Sequence, residues 1–267
     1  MDSFTFSKFH GTGNDFVIID NRGGEFDGTN SDLIRRICHR RFGIGADGLM
    51  LLENSERYAF SMRYYNSDGK ESTMCGNGGR CIVAFAKREG IVSGDELFEF
   101  EAVDGLHQAR FSGNIVMIKM LDVEGITKIE GGCFLNTGSP HYVVFTDKLE
   151  NIDVYTKGKE LRESGLFGEG GSNINFVSSK DDGELTVRTY ERGVEDETWS
   201  CGTGCVAAVL SDYHLKGKTS DTRVGVKVIV KGGSLKVSFS PVGNGRFRDI
   251  WLEGAATFVF KGVTGNI

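Results

Sequence analysis

The sequence predicts an α+β chain of two pseudo-symmetric domains, each a curved mixed or antiparallel β-sheet wrapped around a central α-helix. Three observations point there. The chain repeats itself at a spacing near 126 residues. Its halves are built from short β-branched and aromatic segments punctuated by Gly and Asp. Each half also holds one apolar helix set directly after a Cys–Gly-rich stretch.

The repeat orders the chain. Thr12-Gly13-Asn14-Asp15-Phe16-Val17 resembles Thr137-Gly138-Ser139-Pro140-His141-Tyr142-Val143, with Gly13 and Gly138 125 positions apart. Gly43 to Asp47 meets Gly170 to Asn173, with Gly45 and Gly171 126 apart. Cys75-Gly76-Asn77-Gly78 recurs 126 positions later as Cys201-Gly202-Thr203-Gly204. Gly105-Leu106 pairs with Ser234-Leu235 at 129, after one inserted Gly. Any one match is weak, since Gly-rich tetrapeptides recur by chance, but four in one order at nearly one offset indicate duplication. No Pro-rich linker divides the halves, so spacing alone sets the boundary near 121–131. The domains are read as 1–120 and 121–254. Residues 255–267 are a last strand that completes the first domain's sheet or forms a pairing edge.

Strands are predicted at Phe16 to Ile19, Phe60 to Tyr65, Ile115 to Ile118, Tyr142 to Phe145, Leu185 to Tyr190 and Val226 to Val230. A helix over Ser31 to Arg41 has Leu33, Ile34 and Ile37 on one side and cations at its end. The central helices run from Gly79 to Glu89 and from Cys205 to Lys216, stopped by Gly90 and Gly217. Cys, Ala, Ile, Val, Phe and Leu cover most of their circumference, which marks them as buried.

Composition narrows the function. The 267 residues are 39% hydrophobic and 25% charged, with a net charge near −6 and interspersed signs. There is no basic stripe for nucleic acid or an anionic membrane. The N-terminus lacks a cationic start followed by an apolar core, and no run approaches the roughly 18 apolar residues of a spanning helix. A cytoplasmic protein with a small-molecule partner is expected. The six cysteines are thinly spread for a disulfide framework, and no Cys-x-x-Cys suggests zinc, so reduced thiols and no metal are expected.

Two of those thiols stand at helix starts. The first four N–H groups of a helix lack internal partners, and the dipole adds about half a positive charge there. Gly76, Asn77 and Gly78, like Gly202, Thr203 and Gly204, leave those amides uncovered and able to hold a carboxylate. The same field lowers a thiol pKa from about 8.5 towards neutrality. If a substrate lies between the halves, one thiolate can remove a proton from a carbon beside a carboxylate while the opposite thiol returns one to the other face. That is racemisation or epimerisation without a cofactor, with the helix ends stabilising the developing charge. Cys38, Cys81, Cys133 and Cys205 lack such a context and read as core residues.

The sequence resembles the diaminopimelate epimerase family almost end to end. The resemblance is carried by Lys8 to Phe16, Gly43 to Gly48, Tyr65 to Gly69, Met74 to Cys81, Gly138 to His141, Asn173 to Phe176, Tyr190 to Gly193 and Cys201 to Gly204. It implies pyridoxal-independent conversion of LL-2,6-diaminopimelate to the meso form in lysine and peptidoglycan biosynthesis. It implies Cys75 and Cys201 as the acid/base pair, and Gly76, Asn77, Gly202 and Thr203 as holders of the reacting carboxylate. Asn14, Asn66, Asn173, Glu191 and Arg192 would grip the distal end, Arg192 through its planar fork. His141 and Glu191 match positions that tune the thiols. Family members are often homodimers. Many have Asn in place of Ser139, and some Gln in place of Gly48, which leaves the distal-end contacts open.

Other functions predict other behaviour. Proline racemases and hydroxyproline epimerases also carry paired cysteines, but usually His after the first Cys-Gly, where this chain has Asn77. Phenazine-type isomerases normally lack the cysteines. A redox protein would exchange thiols and incorporate no solvent deuterium, and a binding module would have no turnover to lose.

Overall fold

The computed structural model describes residues 3–220 and 222–265. Outside the described residues lie positions 1 and 2 of the predicted first domain, 221 of the second, and 266 and 267 of the predicted last strand. The fold is α+β, as the sequence predicts. The chain divides into two compact units, Met1–Ile118 with Gly254–Ile267, and Lys119–Glu253.

The first unit opens with β1 (Thr5–Gly11) and β2 (Asn14–Asp20), an antiparallel hairpin. Its turn residues Thr12 and Gly13 both have positive φ, 50° and 88°. This mirror-image turn matches the strand twist, and glycine meets its demand at Gly13 at little steric cost. Next come α1 (Ser31–Cys38), β3 (Gly48–Glu53), β4 (Ser61–Asn66) and the two-residue β5 (Glu71–Ser72). The central helix α2 (Gly76–Arg88) is followed by β6 (Phe98–Ala102), β7 (Gly105–Ser112) and β8 (Ile115–Lys119). β2 pairs parallel with β3, β3 antiparallel with β4, and β6, β7 and β8 antiparallel in sequence.

Side-chain alternation decides which helix each face receives. Val17, Ile19, Leu49 and Leu51 pack with Leu33, Ile34 and Ile37 of α1. Phe16 and Met50 point the other way, to the first turn of α2 at Gly78. Helix α2 ends in a Schellman pair, Ile91 N–H to Ala86 C=O at 2.9 Å and Gly90 N–H to Lys87 C=O at 3.1 Å. Helix α1 stops at Cys38, three residues before the Arg41 end read from its cations. His39 turns extended, and Ile44, Gly45 and Ala46 bring their amides back to the carbonyls of Ile37 and Cys38. That return passes so close that a Cβ on Gly43 would stand 2.0 Å from the Arg36 carbonyl oxygen.

The second unit begins with β9 (Thr127–Ile129), β10 (Gly132–Asn136) and β11 (Pro140–Phe145), an antiparallel series. Helix α3 (Val154–Arg162) leads to β12 (Asn173–Ser179), which lies parallel to β11 and antiparallel to β13 (Leu185–Glu191). After β14 (Asp196–Thr198) comes the central helix α4 (Gly202–Leu215), then β15 (Val224–Val230), β16 (Gly233–Pro241) and β17 (Phe247–Gly254). Ile174, Phe176, Tyr142 and Tyr190 pack with Val154 on the α3 side, so their strand neighbours His141, Asn175 and Thr189 point to the opposite face.

Helix α3 has no counterpart in the reading of the sequence. Its segment Val154-Tyr155-Thr156-Lys157-Gly158 is poor in helix formers, and Gly158 sits mid-helix because a Cβ there would meet Tyr190 Cβ at 2.3 Å. The last strand, β18 (Thr257–Val263), pairs antiparallel with β1 in the first unit.

Candidate active site

Cys75 is the N-cap of α2, and its sulfur accepts the Gly78 amide hydrogen at 3.3 Å. Around it in the first unit runs a chain of side-chain bonds. Asp47 Oδ2 accepts from Asn14 Nδ2 at 2.6 Å, Asn14 Oδ1 from Asn77 Nδ2 at 3.4 Å, and Asn77 Oδ1 from Arg80 Nη2 at 3.0 Å. Both amides therefore point the same way, from a cation to an anion, and neither can flip without facing like to like. Arg80 is fully buried and also donates to the Gly76 carbonyl and Thr12 Oγ1, each at 3.0 Å. Asp47 is held by Arg40 at 2.6 Å. Asn66, exposed at the end of β4, lies opposite Gly48, and the next amide, Ser67 N–H, bonds the Asp47 carbonyl at 3.1 Å. Asn14, Gly76 and Asn77 are thus joined in the first unit through Asp47, Arg80 and Thr12, three residues that the motifs did not single out for a role, while Cys75 precedes Gly76 and Asn66 precedes Ser67 along the chain.

Cys201 is the N-cap of α4 in the second unit. Its sulfur lies 3.5 Å from Thr203 Oγ1, and Thr137 Oγ1 donates to the Thr203 carbonyl at 3.0 Å. Thr137 stands where Thr12 stands in the first repeat. One threonine braces a side chain and its counterpart a carbonyl, but both tie a turn to a cysteine-capped helix.

Asn173 is occupied on both sides. Its Nδ2 donates to Ser139 Oγ at 2.9 Å and the Pro140 carbonyl at 3.0 Å, and its Oδ1 accepts the Arg192 amide at 2.9 Å. Glu191 ends β13 and Arg192 begins the turn after it, where Glu195 N–H returns to the Glu191 carbonyl at 2.8 Å. Arg192 is exposed and reaches the Gly170 carbonyl through Nη1 at 3.2 Å. His141 is fully buried on β11.

Titration behaviour differs from the reading of an isolated helix start. Burial pushes the Cys201 thiol well above its usual value, the nearby Glu191 carboxylate adds to this, and the Thr203 hydroxyl and Gly204 amide oppose it. The expected shift towards neutrality is corrected here for Cys201, because loss of water at a site only 7% exposed outweighs the helix field. Burial drives His141 down to about 3 against an opposing contribution from the Asn175 side chain, with the charge of Arg192 adding to the effect of burial. Burial also raises Cys38 to about 12 and lifts Cys81 and Cys133. Among the described residues, which include all six cysteines, no disulfide is formed.

The fold is shared with proteins of distant sequence. A phenazine biosynthesis protein of the PhzF family from Bacillus anthracis matches over 100% of both chains with a TM-score of 0.75 at 13% identity. A hydroxyproline epimerase from Agrobacterium vitis matches over 98% of this chain and 92% of its own, with a TM-score of 0.69 at 15% identity. These likenesses are of fold alone and set the chain in a class of α+β folds.

Sequence relatives narrow the class. The family model described as diaminopimelate epimerase matches residues 6–111 and 133–259. A diaminopimelate epimerase from Flavobacterium psychrophilum is 51% identical over 255 residues, 95% of this chain and 97% of that protein. This chain belongs to the diaminopimelate epimerase family, as its motifs predict.

Proposed function

We propose that the chain converts LL-2,6-diaminopimelate to the meso form without a cofactor, as a step in lysine and peptidoglycan biosynthesis. The observation that carries this reading is the repeated cysteine cap on a buried, glycine-opened helix, in a chain of this family. Cys75 and Cys201 act on opposite faces of one α-carbon, and each proton transfer is made by a side chain. Cys201, held protonated by burial and by Glu191, is the acid in the resting protein. Cys75, whose sulfur accepts the Gly78 amide hydrogen, serves the opposite face.

The reacting carboxylate is held by the helix-start amides at Gly76, Asn77, Gly202 and Thr203, which strengthen their hold as charge moves onto it in the transition state. Asn14, Asn66, Asn173, Glu191 and Arg192 serve the distal amino-acid end, Asn173 by bracing the Arg192 backbone. His141 and Glu191 set the field around the thiols. Among the described residues no helix is long and apolar enough to cross a membrane. A cytoplasmic location and a homodimer complete the proposal. Val259, Phe260 and Val263 on β18, each more than 40% exposed, support the dimer, and light scattering tests it.

Incubation of reduced protein with LL-diaminopimelate in deuterated water tests the chemistry. Deuterium should enter the α-carbon with wild type and fail to enter with Cys75→Ala or Cys201→Ala. Equal uptake in either variant, or a preference for proline or hydroxyproline, would refute the reading.

A further inference from the structure

Three polar side chains lie in a row on the α4 face of the second unit's sheet, where apolar contacts would be the rule. They are His141 on β11, Asn175 on β12 and Thr189 on β13, with 0%, 0% and 4% of their surface exposed. Asn175 and Thr189 are direct cross-strand partners. A buried amide of this kind stabilises only when its bonds are made, and Asn175 makes them. Its Nδ2 donates to the Tyr142 carbonyl at 3.1 Å and lies 3.1 Å from His141 Nδ1. Its Oδ1 accepts from Thr189 Oγ1 at 3.0 Å.

The Tyr142 carbonyl can only accept, so the amide nitrogen must face it and cannot trade places with the oxygen. Of that nitrogen's two hydrogens one goes to Tyr142; the other has His141 Nδ1 at 3.1 Å and the Asn173 carbonyl at 3.5 Å within reach, and the shorter contact assigns it to Nδ1, whose lone pair accepts it. In a neutral imidazole the proton is left on Nε2. That Nε2 is buried and has no partner among the described residues. The far side of the Asn175 amide meets the cysteine-capped helix. A Cβ on Gly204 would stand 2.4 Å from Asn175 Oδ1 and 3.3 Å from Cys201 Sγ, so the two groups crowd one point of the first turn of α4.

We infer that Asn175 is a positioning residue that locks the buried His141 imidazole in its neutral Nε2–H form and ties it to the helix start carrying Cys201. His141 then contributes a fixed N–H dipole and exchanges no proton during turnover. That part rests on the proposed epimerase reading, while the tautomer does not. The charged group whose field reaches His141 is Arg192, and it disfavours the imidazolium.

The test is nitrogen NMR of histidine-labelled protein together with kinetics. In wild type, His141 should show a protonated Nε2 and a bare Nδ1, with no titration between about pH 8 and about pH 5. In Asn175→Asp the carboxylate can only accept from Nδ1, so the proton should move there. kcat should then fall at least about tenfold, with a smaller change in KM. Asn175→Ala, which adds no buried charge, is the fallback in case Asn175→Asp fails to fold; it removes the hydrogen offered to Nδ1, so the single tautomer should be lost and kcat should fall at least about threefold.

A wild-type His141 protonated on Nδ1, or charged in that range, would overturn the inference. So would an unchanged tautomer, or kcat within about twofold of wild type, in Asn175→Asp, or in Asn175→Ala should Asn175→Asp fail to fold. If wild type shows the Nε2–H form but takes up no deuterium from diaminopimelate, the epimerase reading fails while the tautomer lock stands.

Discussion

Gly78 and Gly204 occupy the same place in the two repeats, the third residue of a central helix, yet replacement by alanine should have unequal consequences. At Gly78 a new Cβ meets Cys75 Sγ at 3.3 Å, Met50 Sδ at 3.4 Å and Phe16 Cζ at 3.7 Å. These are tight but yielding contacts, since Met50 is flexible, and alanine brings about 0.5–1 kcal/mol of helix preference over glycine. Gly78→Ala should therefore change stability by no more than about 0.5 kcal/mol in either direction. At Gly204 the Cβ would stand 2.4 Å from Asn175 Oδ1. Asn175 cannot retreat without breaking its bonds to Thr189, Tyr142 and His141. Relief of about 1 Å must come from the helix or from the buried amide, at about 2–3 kcal/mol for overpacking and disturbed bonds. Subtracting the helix preference leaves Gly204→Ala less stable by about 1–2.5 kcal/mol. Urea unfolding of both variants measures the difference, and deuterium uptake from diaminopimelate should fall at least about tenfold in Gly204→Ala as Cys201 is displaced. A Gly204→Ala protein as stable as Gly78→Ala would refute the account of Asn175 as a fixed wall.

Further predictions concern charge and access. Burial opposes ionisation of Asp15, but bonds from Arg40 and Lys8, each at 2.7 Å, overcome it and hold the carboxyl well below its usual range. Because the folded pKa is the lower one, this stabilisation is present above the unfolded carboxylate pKa of about 3.9 and is lost as pH falls through the folded value. Asp15→Asn should cost about 1–3 kcal/mol near pH 7, a deficit that shrinks at strongly acid pH in chemical denaturation. Burial and Glu191 hold Cys201 as a thiol, so iodoacetamide should label it in substrate-free protein at least about tenfold more slowly than free cysteine at pH 7.5, as read by peptide mass spectrometry. Asp47→Ala removes the anion that orients Asn14, and initial-rate kinetics should show KM raised at least about fivefold with kcat changed less. Gly48→Gln should not restore a distal contact, because its Cβ would stand 2.6 Å from the Tyr65 carbonyl oxygen, and the variant should unfold at lower urea than wild type by about 1–3 kcal/mol.

What could be read along the chain was what lies close along the chain. The cysteine caps, the glycines that open α2 and α4 and the Gly90 stop are signals within a few residues of one another, and the repeat multiplies them. The bonds that shape the candidate site join distant positions instead. Asn14 to Asp47 spans 33 residues, Asn77 to Asn14 63 and Arg80 to Thr12 68, and no local pattern announces them. Helix α3 hid for a related reason, since Gly158 obeys the approach of Tyr190 rather than helix preference. The displaced Cys201 pKa hid because a helix dipole can be inferred from sequence while the loss of water cannot.

Asn175 is the intermediate case. It stands two residues from Asn173, and strand alternation alone puts the two amides on one face. The reading of the sequence gave the substrate to Asn173, whose N–H groups prove to be taken by Ser139 and Pro140. Paired asparagines on a buried strand are therefore better read first as the means by which a sheet holds its polar neighbours still. What such amides set is the placing of the groups they bond, here the Arg192 backbone and the His141 ring, because an amide whose hydrogens are already committed inside the fold acts chiefly through what it positions.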